Sequence, residues 1–293
     1  MLLDPLKIFL TVAEEKSFSR AADELYLSQP GVSSQIRNLE NELGTRLISR
    51  SSKHVELTPS GEIMYRYAQD LLRLYNLAVE DINRIRNVVS GTLKIGASFT
   101  IGEYILPKVL AQTTAKYPNL DIVVTIANTE EIFQNLRAHH LDVGVVEGQV
   151  DTSGLTCEEF MDDEMILIMP QGHALAKIPK ITVQDLQDCV WIMREPGSGT
   201  RAFSNTLIKQ LGLRVKRAYV FSSNEGVKEA VSNGLGIAVV SRLIVQRELN
   251  AGDMLSRPIN SKKVYLHRKF IILRHKEPFG SHAMEVFLEE LKS

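Results

Sequence analysis

The stretch SFSRAADELYLSQPGVSSQIRNLE, residues 17–40, decides the fold of the amino-terminal part of the chain. Ser17 precedes one short helix-forming run, and Ser28 with Pro30 marks the start of a second, since serine caps helices and proline fits the first turn. Two short helices joined by a tight turn, the second opening with small polar residues, are typical of a helix-turn-helix. The sequence therefore predicts such a unit here.

The exposed side of the second helix carries short polar side chains and an arginine, which can contact base edges or phosphates in a DNA groove. After Gly44 come Arg46, Arg50 and Lys53, then a turn and Val55-Glu-Leu57, which predicts a small β wing whose basic residues lie beside the DNA backbone. Residues 1–58 hold seven basic and eight acidic side chains, so overall charge does not indicate a nucleic-acid partner. Between residues 28 and 53, however, four basic residues face two acidic ones. A DNA-reading head is favoured, and a helical protein-interaction module is the alternative.

An uninterrupted helical pattern occupies residues 59–89, with apolar residues three or four positions apart. Thr58 is placed to cap this helix and Pro59 to occupy its first position. About 30 residues of helix span about 45 Å. Such a helix with one apolar stripe needs a partner, and a second copy of the chain is the usual one. We predict a linker and dimerisation helix, and packing against the chain's own domains is the alternative.

From residue 90 to residue 293, strand and helix patterns alternate, which predicts an α/β domain built from parallel-sheet units. We expect two lobes in this domain. The first takes in about residues 92–161 and 268–293, and the second about residues 162–267.

The sequence REPGSGTR, residues 194–201, follows a predicted strand and opens a predicted helix. Its two glycines, Gly197 and Gly199, permit close backbone approach, and a helix N-terminus offers N–H groups at the positive end of its dipole. Ser198 and Thr200 add hydroxyl donors. The sequence therefore predicts a site for an anion, and a plain tight turn is the alternative. No Walker phosphate-binding pattern follows.

The run Phe9-x-x-Val-Ala-Glu-x-x-Ser-Phe-Ser-Arg-Ala-Ala-x-x-Leu25, continued by Ser28-Gln-Pro-Gly-Val-Ser-Ser-Gln-Ile-Arg-x-Leu-Glu40, closely resembles the LysR-type transcriptional regulators. The segment Leu57-Thr-Pro-Ser-Gly61 extends the likeness. This resemblance implies an α/β protein with an all-α head: an N-terminal winged helix-turn-helix, a long linker helix and a two-lobed α/β effector domain like the periplasmic binding proteins. Gly31 and Ile48 are slight departures from the usual pattern.

The resemblance also implies roles for individual residues of the head. Ser28 caps the second helix of the helix-turn-helix, the recognition helix. Polar residues of that helix face the DNA groove, and residues 50–53 of the wing lie on the phosphates. The DNA-binding residues implied are Ser28, Gln29, Pro30, Ser33, Ser34, Gln35, Arg37, Arg50, Ser51, Ser52 and Lys53. A homodimer or homotetramer would place two recognition helices in successive major grooves of double-stranded promoter DNA. Affinity is then expected to depend strongly on salt.

Strand 92–97 ends next to Ser98 and Thr100, at the strand edge where open α/β sheets bind ligands. The resemblance to periplasmic binding proteins implies a ligand between the lobes. The effector-binding residues expected are Ser98, Thr100, Glu147, Gly197, Ser198, Gly199, Thr200 and Asn224. Glu147 repels an anion unless it is protonated or paired with Arg194 or Arg201, and an interlobe contact is its alternative role.

The 194–201 loop also resembles the branch of the family that regulates sulfur assimilation. For that branch the effector expected is a small anion such as sulfite or sulfate, or O-acetylserine. A small carboxylate or another organic acid is the alternative. Its binding would change the oligomer geometry on promoter DNA.

The remaining features exclude other classes. The net charge is −1, and the two cysteines, Cys157 and Cys189, have no metal-ligand spacing. No local pattern joins a nucleophile to a base, so we expect neither an enzyme nor a cofactor or metal site. The opening residues contain no basic leader before a long apolar run. We expect a cytoplasmic protein without a membrane partner, and a small-molecule-binding protein or enzyme with a helical interaction module as a remote alternative.

Overall fold

A computed structural model describes residues 3–50, 55–85, 89–148, 154–261, 265–276 and 281–293. The chain divides into two compact units, Met1–Val88 and Val89–Ser293. Each unit has its own buried apolar core, and each is described separately.

The first unit is a winged helix-turn-helix followed by a long helix. Its elements are α1 (Asp4–Glu15), α2 (Phe18–Glu24), α3 (Gln29–Leu43), the antiparallel strands β1 (Ile48–Arg50) and β2 (Val55–Leu57), and α4 (Pro59–Ile85). The side chain of Ser17 accepts the N–H of Arg20, and that of Ser28 accepts the N–H of Gly31. Both serines thus cap the helices that they were expected to cap.

The wing is tied to the recognition helix α3 by one carboxylate. Glu40 Oε1 accepts the backbone N–H groups of Leu47 at 2.9 Å and Ile48 at 3.1 Å. The start of α4 closes on the same segment, where Thr58 donates its backbone N–H to the carbonyl of Leu47. A Cβ atom at Gly61 would lie 2.0 Å from that carbonyl oxygen, so only glycine fits at this position.

The helix α4 exposes a row of large apolar side chains in the single chain. Its exposed members, spaced mainly three or four residues apart, are Ile63, Tyr67, Leu71, Leu74, Tyr75, Val79 and Ile82. On the other side, Ala68 is buried in the core of the unit, and Tyr65 donates its hydroxyl to Glu14 on α1. Pairing of this stripe with a second copy stays a prediction.

The second unit alternates strands and helices. In chain order its elements are β3 (Gly91–Ser98), α5 (Phe99–Tyr104), α6 (Leu106–Lys116), β4 (Leu120–Ala127), α7 (Thr129–Arg137), β5 (Val143–Glu147), β6 (Leu155–Pro170), a 3₁₀ turn (Ala174–Lys177), β7 (Val190–Arg194), α8 (Gly199–Leu211), β8 (Arg217–Phe221), α9 (Asn224–Ser232), β9 (Ala238–Ser241), α10 (Arg242–Ala251), β10 (Met254–Ser256), β11 (His267–His275) and α11 (His282–Lys292).

Two lobes of this unit share one long strand. In the first lobe β3 pairs in parallel with β4 and β5, and β11 joins β5 to the leading part of β6 in antiparallel register. The trailing part of β6, from Met165, pairs with β9 and β10 of the second lobe. In that lobe β7 and β8 form a separate parallel pair. The two-lobed α/β architecture expected from the sequence is confirmed.

Each lobe has its own apolar core around these strands. The first buries Leu93, Ile95, Phe270 and Phe287, and the second buries Met165, Leu167, Trp191 and Val239. These cores fix the positions of β3, β5 and β7, and the carboxyl ends of these strands carry polar residues toward the contact between the lobes.

Replacing Gly61 by alanine should destabilise the first unit, because the new methyl group overlaps the carbonyl oxygen of Leu47 and the backbone must shift. We expect a loss of about 1–3 kcal/mol in the free energy of unfolding, measured by urea denaturation. Asn38→Ala, on the exposed face of α3, is the control and should change stability by less than about 0.5 kcal/mol. Equal stability of the two variants would contradict the close-approach interpretation.

Candidate functional site

The recognition helix α3 presents one buried and one exposed face. Val32, Ile36 and Leu39 are buried in the core. Of the expected DNA-contacting residues, Gln29, Pro30, Ser34, Gln35 and Arg37 are exposed, Ser33 is half-buried, and the hydroxyl of Ser28 accepts the Gly31 N–H at the start of the helix. Of the exposed residues, the glutamines and Ser34 can donate and accept hydrogen bonds, and Arg37 alone carries a charge.

The expected phosphate-contacting residues lie in and after β1. The backbone of Arg50 ends that strand, while Ser51, Ser52 and Lys53 lie outside the described residues. A groove of about 650 Å³ separates α3 from the wing and is lined by Arg37, Glu40, Asn41, Gly44, Thr45, Arg46 and Ile48. Two arginines, Arg37 and Arg46, outnumber the one carboxylate of Glu40 in this lining, so the groove is positively charged.

In the second unit, the glycine-containing loop meets the other lobe at close range. Gly197 has φ +88°, a conformation that glycine adopts without strain. Its carbonyl accepts the backbone N–H of Glu130, at the start of α7 in the first lobe, at 3.2 Å. A Cβ atom at Gly199 would lie 2.2 Å from the carbonyl oxygen of Glu147. The two lobes thus touch through backbone atoms at this point.

A buried arginine that the sequence analysis did not single out occupies the centre of this contact. Arg268, on β11, donates from Nη1 to Thr200 Oγ1 at 3.0 Å and from Nη2 to Thr100 Oγ1 at 3.5 Å. Nη2 also donates to Glu147 Oε2 at 3.2 Å. One guanidinium therefore brings together Thr100 and Glu147 of the first lobe and Thr200 of the second.

The guanidinium is held by the strand opposite. Arg268 pairs with Asp163 of β6 in the antiparallel ladder, and its Nε donates to Asp163 Oδ2 at 2.7 Å. Ser241, at the end of β9, donates to Asp163 Oδ1 at 2.5 Å. Burial raises the pKa of Asp163 above its usual range, although Arg268 and Ser241 both act against the shift. Sequence alone missed Asp163, Arg268 and Ser241.

Two serine hydroxyls in this cleft have unused hydrogen-bonding capacity. Ser98 and Ser198 are the N-cap residues of α5 and α8, yet neither side chain caps its helix. In the described part of the chain, the buried Oγ atoms of both serines have no hydrogen-bond partner. Buried polar atoms are nearly always paired, and leaving one unpaired costs about 1–3 kcal/mol. Both hydroxyls can therefore form a hydrogen bond with a polar group that reaches them.

Arg194 and Asn224 form a second polar contact between the lobes. Arg194, which is almost fully buried, binds both carboxylate oxygens of Glu195 and donates to Asn224 Oδ1 at 2.6 Å. Its guanidinium carbon lies 4.5 Å from the ring centre of Phe99 in the first lobe, a cation–π contact. Asn224 in turn donates to Glu103 of the first lobe at 3.5 Å.

Glu147 makes an interlobe contact, the alternative role that the sequence left open for it, and its cation is neither of the two arginines considered there. Arg194 is taken up by Glu195, and Arg201 donates to the carbonyl of Arg194 and to Asn205, so neither pairs with Glu147. The carboxylate of Glu147 binds Arg268 and accepts the hydroxyl of Thr200 at 3.2 Å. Of the expected effector residues, seven are buried and Gly197 is exposed.

A DNA-reading head and a two-lobed α/β unit with a polar cleft define a regulator of transcription that responds to a small molecule. Residues 3–62 match the family described as "Bacterial regulatory helix-turn-helix protein, lysR family", and residues 86–293 match "LysR substrate binding domain". The chain belongs to the LysR family of transcriptional regulators, which are DNA-binding proteins and not enzymes.

Relatives of known name cover all or most of the chain. The "HTH-type transcriptional regulator CysL" of Bacillus subtilis is 43% identical over 293 residues, covering 100% of this chain and 97% of that protein. Full-length OxyR from Pseudomonas aeruginosa superposes with a TM-score of 0.77 at 25% identity, over 100% and 95% of the two chains. The regulatory domain of CcmR from Synechocystis PCC6803, in complex with 2-PG, matches 69% of this chain and 96% of its own with a TM-score of 0.64 at 26% identity.

Other classes of site find no support in the residues described. Within those ranges, no three His, Cys, Asp or Glu side chains lie where they could hold a metal ion. No helix among them is long and apolar enough to cross a membrane.

Replacing Arg268 by methionine should strongly destabilise the second unit, because Glu147 and Asp163 would remain buried without their shared cation. We expect a loss of about 3–5 kcal/mol in the free energy of unfolding by urea denaturation. Arg242→Met is the matched control. Its pair with Glu164 is about 40% exposed, so its loss should cost at most about 1 kcal/mol. If Arg268→Met loses no more free energy of unfolding than Arg242→Met, the central role of Arg268 in this contact is contradicted.

Proposed function

We propose that this LysR-family regulator binds a small anion between its two lobes and controls genes of sulfur assimilation. The observation that carries the proposal is the pair of buried hydroxyls, Ser98 Oγ and Ser198 Oγ, which are free to donate to a ligand from opposite lobes. They lie in the loops that also carry Thr100 and Thr200, the two threonines joined by Arg268.

The chemistry of the second-lobe loop favours an anion. It opens the 13-residue helix α8, whose first N–H groups and dipole attract negative charge. The likeness of the 194–201 sequence to the sulfur-assimilation branch supports sulfite, sulfate or O-acetylserine, and a 43% identical relative bears the name CysL.

A different small organic acid is the second candidate. The regulatory domain of CcmR, whose fold resembles the second unit of this chain, was solved with 2-PG. The same hydroxyls and helix N-terminus would suit a carboxylate as well as a sulfur oxyanion. The two candidates differ in the ligand that binds, so a ligand screen separates them.

We propose that the ligand acts through assembly. Dimers formed through the exposed stripe of α4 would carry two copies of α3 to successive major grooves of promoter DNA. A ligand that binds one arrangement of the lobes more tightly than another shifts the population toward it, and only that difference in affinity can switch the head spacing.

Ligand binding should depend on both serines. We expect one of sulfite, sulfate, thiosulfate, O-acetylserine and small carboxylates to raise the melting temperature of the full chain by mass action. Ser98→Ala and Ser198→Ala should each weaken that ligand by about tenfold or more in calorimetric titration, because a hydrogen bond to a charged group is lost. Ser232→Ala, on the exposed end of α9, is the control. Undiminished binding to both cleft variants would contradict the proposed site.

DNA binding should depend on the exposed face of α3. A duplex selected from a random library by the wild-type protein serves as probe, with fluorescence anisotropy as the measurement. Arg37→Ala should weaken binding by about tenfold, since an arginine contact to a base or phosphate is removed. Lys209→Ala, an equal change of charge in the second unit, should have little effect. Equal affinity of the Arg37 variant and the wild type would overturn this assignment.

A further inference from the structure

The carboxylate of Glu147 already holds the donors that an anion would use. Its Oε1 accepts the hydroxyl of Thr200 at 3.2 Å, and its Oε2 accepts Nη2 of Arg268 at 3.2 Å. Thr200 belongs to the loop whose glycines and hydroxyls predict an anion site. The anion-binding chemistry of this loop is thus directed at a group from the chain itself.

Glu147 is held in this position from both sides. It is the last residue of β5, a strand buried along its whole length, and only 2% of its surface is exposed. Its carbonyl accepts the hydroxyl of Thr129 at 3.1 Å, and Gly199 of the opposite lobe packs against its backbone. The carboxylate therefore bridges the two lobes.

The balance of charge decides what a second anion can do here. Arg268 is already paired with Asp163 at 2.7 Å, so Glu147 supplies a second carboxylate to a single guanidinium. Arg194 is neutralised by Glu195. An anion added beside Glu147 would bring further negative charge into a buried site, which is strongly unfavourable. An anion that takes the place of Glu147 instead replaces one negative partner of Arg268 by another.

We propose that Glu147 is an internal substitute for the effector, and that an anionic effector binds by displacing its carboxylate from Thr200 and Arg268. This inference rests on the proposed function of the cleft. It makes Glu147 a determinant of affinity and specificity: only a ligand with an anionic group able to accept from both Thr200 and Arg268 competes with it. The apparent affinity of the effector is its intrinsic affinity multiplied by the fraction of time that the site is free of the carboxylate.

The test compares sulfate binding to three forms of the full chain by calorimetric titration at constant ionic strength: wild type, Glu147→Gln and Glu130→Gln. The Gln variant keeps the shape of the side chain but loses its charge, so sulfate should bind it about tenfold more tightly than the wild type. Glu130 is exposed beside the same loop and contacts neither Thr200 nor Arg268. Its substitution measures the general effect of removing one negative charge and should change the Kd by less than about threefold.

The outcomes separate the two proposals. Equal or weaker sulfate binding by Glu147→Gln overturns the displacement, while binding that is lost in Ser98→Ala leaves the proposed function standing. An equal gain in both glutamine variants also overturns it, since general repulsion would then explain the effect. Sulfate binding to neither wild type nor Glu147→Gln overturns the displacement, while binding of another of the anions, lost in Ser98→Ala, leaves the proposed function standing.

A second measurement uses only the wild-type protein, so it does not depend on whether a variant folds. In crystals of the wild-type protein grown or soaked with sulfate, we expect the anion to accept from Thr200 and Arg268, with the Glu147 carboxylate moved away. Sulfate bound elsewhere in the cleft, with the Glu147 contacts intact, would overturn the displacement.

Discussion

A guanidinium has five N–H donors fixed in one plane, and those of Arg268 reach side chains from three separate parts of the fold. Asp163 comes from the shared strand β6, Glu147 and Thr100 from the first lobe, and Thr200 from the second. The network is buried, so each contact is stronger than it would be in water and each unpaired member is correspondingly costly. Arg268, which lies on β11 and outside the 194–201 loop, therefore contributes several of the contacts that fix the relative position of the lobes. Any ligand that binds between the lobes must either add hydrogen bonds to that network or displace some of its members.

The parts of the fold that could be predicted from sequence are those with local causes. Ser17 and Ser28 cap the helices that follow them, Gly44 ends the recognition helix in a left-handed conformation, and the buried face of that helix follows from its spacing. The loop at 194–201 was found in the same way, since its glycines, hydroxyls and position after a strand are all visible within eight residues. These signals need no knowledge of the tertiary structure.

The residues that were missed depend on pairings far apart in the chain. Arg268 and Asp163 are 105 residues apart and become neighbours only through the antiparallel register of β6 and β11. Neither carries a local pattern, and a charged residue in a strand is more often at the surface than in a core. For the same reason only Arg194 and Arg201, in the 194–201 loop, were considered as possible partners of Glu147. Its partner in the structure, Arg268, lies on β11 and is brought beside it by the sheet topology.

The long strand β6 has a mechanical consequence. Sixteen residues run without interruption from the sheet of one lobe into the sheet of the other, and β11 accompanies the first part with a register shift at Phe270 and Ile271. A joint of this kind is stiffer than a flexible linker, because the pairing of β6 with β11 is followed directly by its pairing with β9. Movement of one lobe against the other must then be a torsion of the ribbon itself, small in angle and elastic in character. A ribbon that is twisted elastically returns to its original twist when the ligand leaves. Because it belongs to the sheets of both lobes, a change at their contact reaches both lobes together.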